Sequence, residues 1–275
     1  MPCLTPHDTQ APMHYLSAHA QGAAVSMLTG EVIGDNRNPF RSRLEWITDC
    51  RPATQRPQLH TQGWTWTPIE PMRLDDVDLP HRSSVEAVEN VVLRLTGGQR
   101  VQVFDAAVRR VQTVDSSPGV GRDSRMSTPQ SVQLAHCDYT PDSGRACIQR
   151  NTTWDMHCGR VWIVNVWVPL NAAVTNPPLA IGIPGHGQLF TGPCQLVYTD
   201  RTGSMNLVKD SSSLKWCYVK GLNVDEALVF KTYDSAPLVD EWVSTPHSAF
   251  WNSADTLEPL RQSIEFRCAV QWIDG

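Results

Sequence analysis

The chain has 275 residues, a length that suits one domain. Its formal net charge is −5 and its Lys and Arg residues are scattered, which argues against binding to nucleic acids or anionic membranes. It has no apolar stretch of membrane-spanning length and no amino-terminal signal-peptide pattern. Because its eight cysteines also lack CxxC spacing, the sequence predicts a soluble, cytoplasmic protein with reduced thiols.

The first 80 residues have a weak pattern of short apolar pieces between Pro, Gln, Thr and Asn residues. This composition predicts an irregular amino-terminal extension over residues 1–80, packed on a core formed by residues 81–275. Trp46, Trp64 and Trp66 are expected to anchor the extension. The two parts together are predicted to form a single domain.

A helix is predicted at the start of the core. Within residues 84–95 the apolar side chains recur at helical spacing, at Val85, Val88, Val91, Val92 and Leu95. Gly97 and Gly98 follow directly and provide the stop signal.

Beyond this helix the pattern changes to that of β-strands. Alternating or fully apolar runs recur at short intervals, at residues 100–104, 161–168, 196–198, 216–219, 227–230 and 260–270. Many short strands behind one helix predict a mainly β protein with a few helices, built on a cupin-like jelly roll.

A candidate metal site begins with the His-x-Asp sequence of His136 and Asp138. Residues two apart in a strand face the same way, so the imidazole and the carboxylate can converge on one ion while Cys137 points away. His-x-Asp is a weak signal alone, and a downstream histidine, His247, is the candidate third ligand. Two His and one carboxylate that leave positions open are the ligand set of Fe(II) oxygenases.

A second candidate site lies on the last predicted strand. Ile264, Phe266, Cys268 and Val270 share one face, and Arg261, Ser263, Glu265 and Arg267 share the other. A guanidinium fork and a hydroxyl two residues apart can hold a carboxylate. The pattern therefore predicts a clamp for 2-oxoglutarate, whose keto acid would take two metal positions and leave one for dioxygen (O2).

Six stretches carry a family resemblance: residues 103–110, 136–140, 165–170, 225–235, 246–250 and 261–267. The chain resembles the small-molecule hydroxylase/desaturase family of fungal and bacterial biosynthetic clusters, which is related to the oxygenase component of cephamycin 7α-methoxylase. The resemblance implies a double-stranded β-helix, Fe(II) and 2-oxoglutarate, and oxidation of an unactivated C–H bond in a secondary-metabolite precursor. It also implies that His136, Asp138 and His247 bind the metal and that the Arg261 region holds the cosubstrate.

One position departs from the family pattern, since relatives usually have Arg where this chain has Val168. If that Arg touches substrate or cosubstrate in relatives, the pocket of this chain is altered.

Several assignments stay open in the sequence. Arg267 shares a strand face with Arg261 and could hold the keto acid instead. We favour Arg261 and expect the other arginine to bind substrate or a structural carboxylate such as Glu265 or Asp234. Tyr198 is a candidate hydrogen-bond donor to the cosubstrate, although a Tyr in a buried strand is more often core.

The expected substrate is a small natural-product intermediate, and a carboxylate on it would suit an arginine-bearing pocket. A homodimer is the default oligomeric state. The competing functions are a non-catalytic partner subunit of a paired oxygenase and a non-oxidative metal-dependent isomerase or hydrolase on the same barrel.

Overall fold

A computed structural model describes residues 8–17, 24–26, 32–33, 40–76, 78–111, 131–184, 191–209, 214–237, 243–253 and 259–273. The strands are β1 (Thr9–Leu16), β2 (Ala24–Ser26), β3 (Val32–Ile33), β4 (Phe40–Asp49), β5 (Trp64–Pro68), β6 (Arg100–Arg110), β7 (His136–Cys137), β8 (Arg160–Pro169), β9 (Leu179–Pro184), β10 (Thr191–Val197), β11 (Thr202–Val208), β12 (Leu214–Tyr218), β13 (Glu226–Asp234), β14 (His247–Ala249) and β15 (Gln262–Trp272). The helices are α1 (Leu59–Gln62), α2 (Arg82–Thr96) and α3 (Pro141–Asn151).

The strands form two sheets. The larger sheet has the order β1-β4-β12-β9-β14-β7-β11-β10-β2-β3, and the smaller has the order β5-β13-β8-β15-β6. Sequential strands are rarely neighbours in either sheet, as expected for a chain that winds between two facing sheets. The prediction of a mainly β protein with a jelly-roll, double-stranded β-helix core is confirmed.

Helix α2 covers the outer face of the smaller sheet. Its residues Val88, Val91 and Val92 pack against alternate residues of β8 and β15, among them Val168 and Phe266. The helix ends as the sequence predicts, because Gly97 adopts φ 67°, a left-handed conformation that glycine accepts without strain. Because side chains alternate along a strand, the residues of β8 and β15 that do not face α2, such as Asn165 on β8, point into the space between the sheets.

The first 80 residues supply strands to both sheets. β1 and β4 lie at one end of the larger sheet, and β5 pairs with β13 at the edge of the smaller sheet. The predicted anchors Trp64 and Trp66 are buried, but the prediction for Trp46 was wrong, because 46% of it is exposed. β12 pairs with β4 only from Ile47 onward, so Trp46 lies beyond that pairing. A division of the chain near residue 80 stays a prediction.

Within the described ranges, no helix combines the length and the apolar character that crossing a membrane requires.

Helix α3 was not predicted from the sequence. Its start is specified by a capping box, in which Thr140 and Ser143 bond each other's backbone N–H groups, and by Pro141 in the first turn. The weak apolar periodicity of this segment hides the helix, whereas the Thr-Pro pair and the serine three residues after Thr140 are signals that sequence reasoning could have used.

We expect Gly144→Ala to destabilise the protein by about 1–3 kcal/mol, because a methyl group at this position of α3 would overlap the ring of Tyr233. Elsewhere in a helix the same change is favourable. Urea unfolding of the variant measures the loss. An equal or greater stability than that of the unmodified protein would show that the ring of Tyr233 moves aside freely.

Candidate metal centre

Three side chains from two neighbouring strands meet between the sheets. His136 on β7 is the register partner of His247 on β14, and Asp138 follows β7 directly. The Nε2 atoms of His136 and His247 lie 3.3 and 3.4 Å from Oδ1 of Asp138. One potential ligand atom from each residue lies within 4.8 Å of the other two. The structure therefore brings together all three predicted metal ligands.

Both imidazoles are held in the orientation that a metal ligand needs. Nδ1 of His136 donates to the backbone oxygen of Leu134 at 2.7 Å, and Nδ1 of His247 donates to that of Thr245 at 3.0 Å. Because each carbonyl can only accept, each Nδ1 carries a proton, and Nε2 is the nitrogen through which each neutral ring can bind a metal. Such a hydrogen bond to the second ring nitrogen is the usual support of a metal-binding histidine.

The carboxylate of Asp138 is supported from the smaller sheet. Nδ2 of Asn165, on β8, donates to Oδ2 of Asp138 at 2.7 Å, so the oxygen that faces the histidines is the other one. The amide oxygen of Asn165 accepts a hydrogen bond from Thr232 Oγ1 at 3.3 Å. Neither Asn165 nor Thr232 is exposed to solvent. Neither was predicted as a site residue from the sequence, although both lie in stretches that carry the family resemblance, residues 165–170 and 225–235.

The charges of the centre favour a bound cation. Burial lowers the pKa of His136, and the neighbouring His247 lowers it further. Burial disfavours the ionised form of Asp138, yet the two imidazoles hold the pKa of its carboxyl well below the usual range. Burial also acts downward on His247, but the Asp138 carboxylate outweighs it and raises the pKa of that imidazole. An ionised carboxylate beside a neutral imidazole is the state in which such groups bind metal.

Arg261, directly before β15, and Ser263, on β15, each have a polar side-chain atom without a partner in the described part of the chain. Nε of Arg261 and Oγ of Ser263 are buried and have no hydrogen-bond partner among the described residues. The guanidinium donates from Nη1 to the backbone oxygen of Pro177 at 2.7 Å and lies 5.3 Å from the ring centre of Trp167. Burial, reinforced by the charge of Arg109, lowers the pKa of Arg261 to about 9. A buried cation in this position is stabilised by an anion.

Arg267 lies on the same face of β15 but is already paired. Its guanidinium forms ion pairs with Asp105 and with Glu265, the latter at 2.8 Å. Burial acts to lower the pKa of Arg267, and these carboxylates instead hold it well above the usual range. The sequence favoured Arg261 for the keto acid and predicted that the other arginine would bind substrate or a carboxylate such as Glu265 or Asp234. In the structure Arg267 pairs with Glu265, whereas Asp234 is held by other basic residues.

The structure places Tyr198 away from the metal centre. It follows β10 at the hairpin turn, where its N–H donates to the backbone oxygen of Arg201 and its ring lies under that residue's guanidinium. The register partner of His136 is Leu207, five residues along β11 from Thr202, or roughly 17 Å at the usual rise of a strand. Val168 also faces away from the centre, because it packs under helix α2.

Aromatic side chains line the interior beside the centre. The rings of Phe230 and His247 are 4.7 Å apart, and Trp64 pairs with Phe230 across β5 and β13. Trp66 and Trp167 belong to the same buried cluster. These residues form an apolar wall next to the three polar ligands, which is the composition expected of a small-molecule site.

Comparisons with known proteins agree with this geometry. A family model described as "Oxidoreductase/YMDC permease-like domain" matches residues 5–271. The hydroxylase/desaturase efuI of Hormonema carpetanum is 26% identical, with 95% of this chain and 94% of that protein covered. The Fe(II)/2-oxoglutarate-dependent dioxygenase nvfI of Aspergillus novofumigatus is also 26% identical, with 86% and 84% covered.

A solved structure shows the same fold. The iron and alpha-ketoglutarate-dependent endoperoxidase NvfI superposes with a TM-score of 0.75 at 20% identity, with 98% of this chain and 100% of that chain covered. The enzyme class and the cofactors predicted from the sequence are those that the names of these homologues state. The chain therefore belongs to the oxidoreductase/YMDC permease-like domain family and is a homologue of Fe(II)/2-oxoglutarate-dependent dioxygenases.

Proposed function

We propose that this protein is an Fe(II)/2-oxoglutarate-dependent oxygenase that oxidises an unactivated C–H bond of a small natural-product intermediate. The observation that carries the proposal is the convergence of His136, Asp138 and His247, with both Nδ1 atoms bonded to carbonyls and both Nε2 atoms next to Asp138 Oδ1. Two imidazoles and one carboxylate form the donor set that suits Fe(II) and leaves positions for other ligands.

The polar groups of Arg261 and Ser263, at the start of β15, fit the second cofactor. Arg261 Nε and Ser263 Oγ are buried donors with no partner among the described residues, so they would be costly to leave without an anion. Trp167, which the Arg261 guanidinium contacts, is two residues from Asn165 on the same face of β8, and Asn165 contacts the metal ligand Asp138. A diacid held at the metal by one end can therefore reach Arg261 with the other.

Each part of the site has a distinct task in the proposed reaction. Fe(II) and 2-oxoglutarate, when bound, supply the activation of dioxygen and the oxidising power for C–H cleavage. The three ligands hold the metal, and Arg261 with Ser263 orients the cosubstrate. The apolar wall formed by Trp64, Trp66, Trp167 and Phe230 excludes water from the reacting atoms.

Hydroxylation, desaturation and oxidative ring closure all remain within this proposal, because they differ in where the substrate lies and not in the cofactors. A carboxylate on the substrate receives less support from the structure than from the sequence, since Arg267 is already bound to Asp105 and Glu265. The relation to cephamycin 7α-methoxylase stays a proposal based on the resemblance. A homodimeric state also stays a proposal, based on how common homodimers are among soluble proteins.

The test is an anaerobic titration of the metal-free protein with Fe(II) and 2-oxoglutarate, followed by visible absorption. We expect the weak charge-transfer band of a metal-bound keto acid in the unmodified protein. Asp138→Ala should lose the band and bind Fe(II) at least 100-fold more weakly, because it removes a charged ligand from the centre.

If the unmodified protein binds Fe(II) tightly but gives no band with 2-oxoglutarate, the keto-acid proposal is rejected. A non-oxidative metalloenzyme or a non-catalytic partner subunit would then describe the chain better. If the band persists in Asp138→Ala, the metal is bound elsewhere and not by these three residues.

A further inference from the structure

The metal ligand Asp138 has two carboxylate oxygens in different surroundings. Oδ1 lies beside the Nε2 atoms of His136 and His247, at 3.3 and 3.4 Å. Oδ2 accepts a hydrogen bond of 2.7 Å from Nδ2 of Asn165. A charge-assisted bond of this length satisfies Oδ2 and fixes the rotation of the carboxylate.

The amide of Asn165 is itself held in one orientation. Thr232 Oγ1 lies 3.3 Å from the amide oxygen and 3.2 Å from the backbone oxygen of Ile163, so its single proton is shared between these two acceptors. Because a hydroxyl can donate to the amide oxygen and the carboxylate can only accept, the network places the NH2 group toward Asp138. A flipped amide would set an oxygen against a carboxylate.

The ladder between β13 and β8 is broken next to Thr232. Phe230 pairs with Asn165 and Tyr233 pairs with Ile163, so the register between β13 and β8 shifts across Lys231 and Tyr233. Thr232 lies within this bulge, and bulges redirect side chains and are common beside active sites. Thr232 therefore contacts Asn165 from a point where the ladder between β13 and β8 is irregular.

We propose that Asn165 is a positioning residue for the metal centre: with Thr232 behind it, it occupies Oδ2 of Asp138 so that only Oδ1 serves the metal. This inference rests on the proposed metal site and extends it. A carboxylate that binds through one oxygen uses one metal position instead of two, so the remaining positions stay available for the keto acid and dioxygen.

The test is an anaerobic titration of the metal-free protein with Co(II), whose visible bands report both affinity and coordination. Asn165→Leu keeps the size of the side chain and removes the donor. We expect Co(II) affinity to fall about 10–100-fold and the bands of the bound ion to change, because a supporting residue of this kind has that effect on metal binding.

Gln271→Met is the matched control. Gln271 is a buried amide on β15 that donates to the backbone oxygens of Asp155 and Cys158 at 2.9 and 3.1 Å, at the opposite end of the sheet from Ser263. This variant should lose stability and retain the Co(II) affinity and bands of the unmodified protein. Unchanged affinity in Asn165→Leu, or equal losses in both variants, would overturn the proposal.

Thr232 supplies a second, milder test that does not depend on Asn165→Leu folding. Thr232→Val removes the hydroxyl at constant size and should weaken Co(II) binding several-fold, whereas Thr232→Ser should bind like the unmodified protein. Equal affinities for these two variants would overturn the role of Thr232 and, if Asn165→Leu does not fold, the proposal itself. If the unmodified protein fails to bind Co(II), the proposed metal site falls, and the inference with it.

Discussion

Replacement of Arg261 by alanine is expected to raise the 2-oxoglutarate concentration needed for half-saturation by about 100-fold or more. The guanidinium is buried, its Nε has no partner among the described residues, and the unpartnered Ser263 Oγ is two residues away. Removing one member of a buried, hydrogen-bonded charge pair costs about 2–5 kcal/mol, and 100-fold in affinity corresponds to about 2.8 kcal/mol. Anaerobic titration of the Fe(II)-loaded variant with 2-oxoglutarate measures the change.

A matched pair of lysine variants separates the two arginines of β15. Arg261→Lys keeps the charge and loses the planar fork, so we expect an intermediate loss of 2-oxoglutarate affinity. Arg267→Lys should change this affinity little, because Arg267 is already paired with Asp105 and Glu265. A larger loss in Arg267→Lys than in Arg261→Lys would assign the cosubstrate to Arg267.

The convergence of His136, Asp138 and His247 could be predicted from the sequence because it follows in part from local geometry. Residues two apart in a strand share a face, so His136 and Asp138 had to converge if the segment was extended. The same rule separated the two faces of β15, where Phe266 packs under α2 and Ser263 faces the interior. Local periodicity and a distant histidine were sufficient for this part of the site.

The support of the ligands depends on contacts that no local pattern encodes. Asn165 lies in the apolar run of β8 and looks like a strand residue until β7 is placed opposite it. Thr232 contacts Asn165 across two strands, within a β-bulge of β13 for which the sequence carries no distinct signal.

The amino-terminal strands were hidden for a similar reason. The buried hydrogen bond from Trp216 Nε1 to the hydroxyl of Tyr15 joins residues 201 positions apart. Strand pairing at that distance depends on the whole topology, which a composition rich in Pro, Gln and Thr does not reveal. The exposure of Trp46 depends on the same topology, because it follows from where the pairing of β4 with β12 begins.

Phe266→Ala is expected to produce the largest loss of stability, about 3–5 kcal/mol. Phe266 is fully buried and lies in the cluster between α2 and the smaller sheet, on a strand that pairs with β6 on one side and β8 on the other. The strand ladders on both sides limit how far the backbone can move to fill the cavity. Urea unfolding measures the change in the free energy of unfolding.

The control for this prediction lies on the helix that covers the cluster. Leu93 on α2 is 41% exposed, so Leu93→Ala should change stability by less than about 1 kcal/mol. A small loss in Phe266→Ala would contradict the packing of β15 described above. Because the side chain of Phe266 points away from Glu265 and Arg267, the variant should also bind Co(II) normally under conditions in which it is folded. Lost metal affinity in the folded variant would show that the two faces of β15 are energetically coupled.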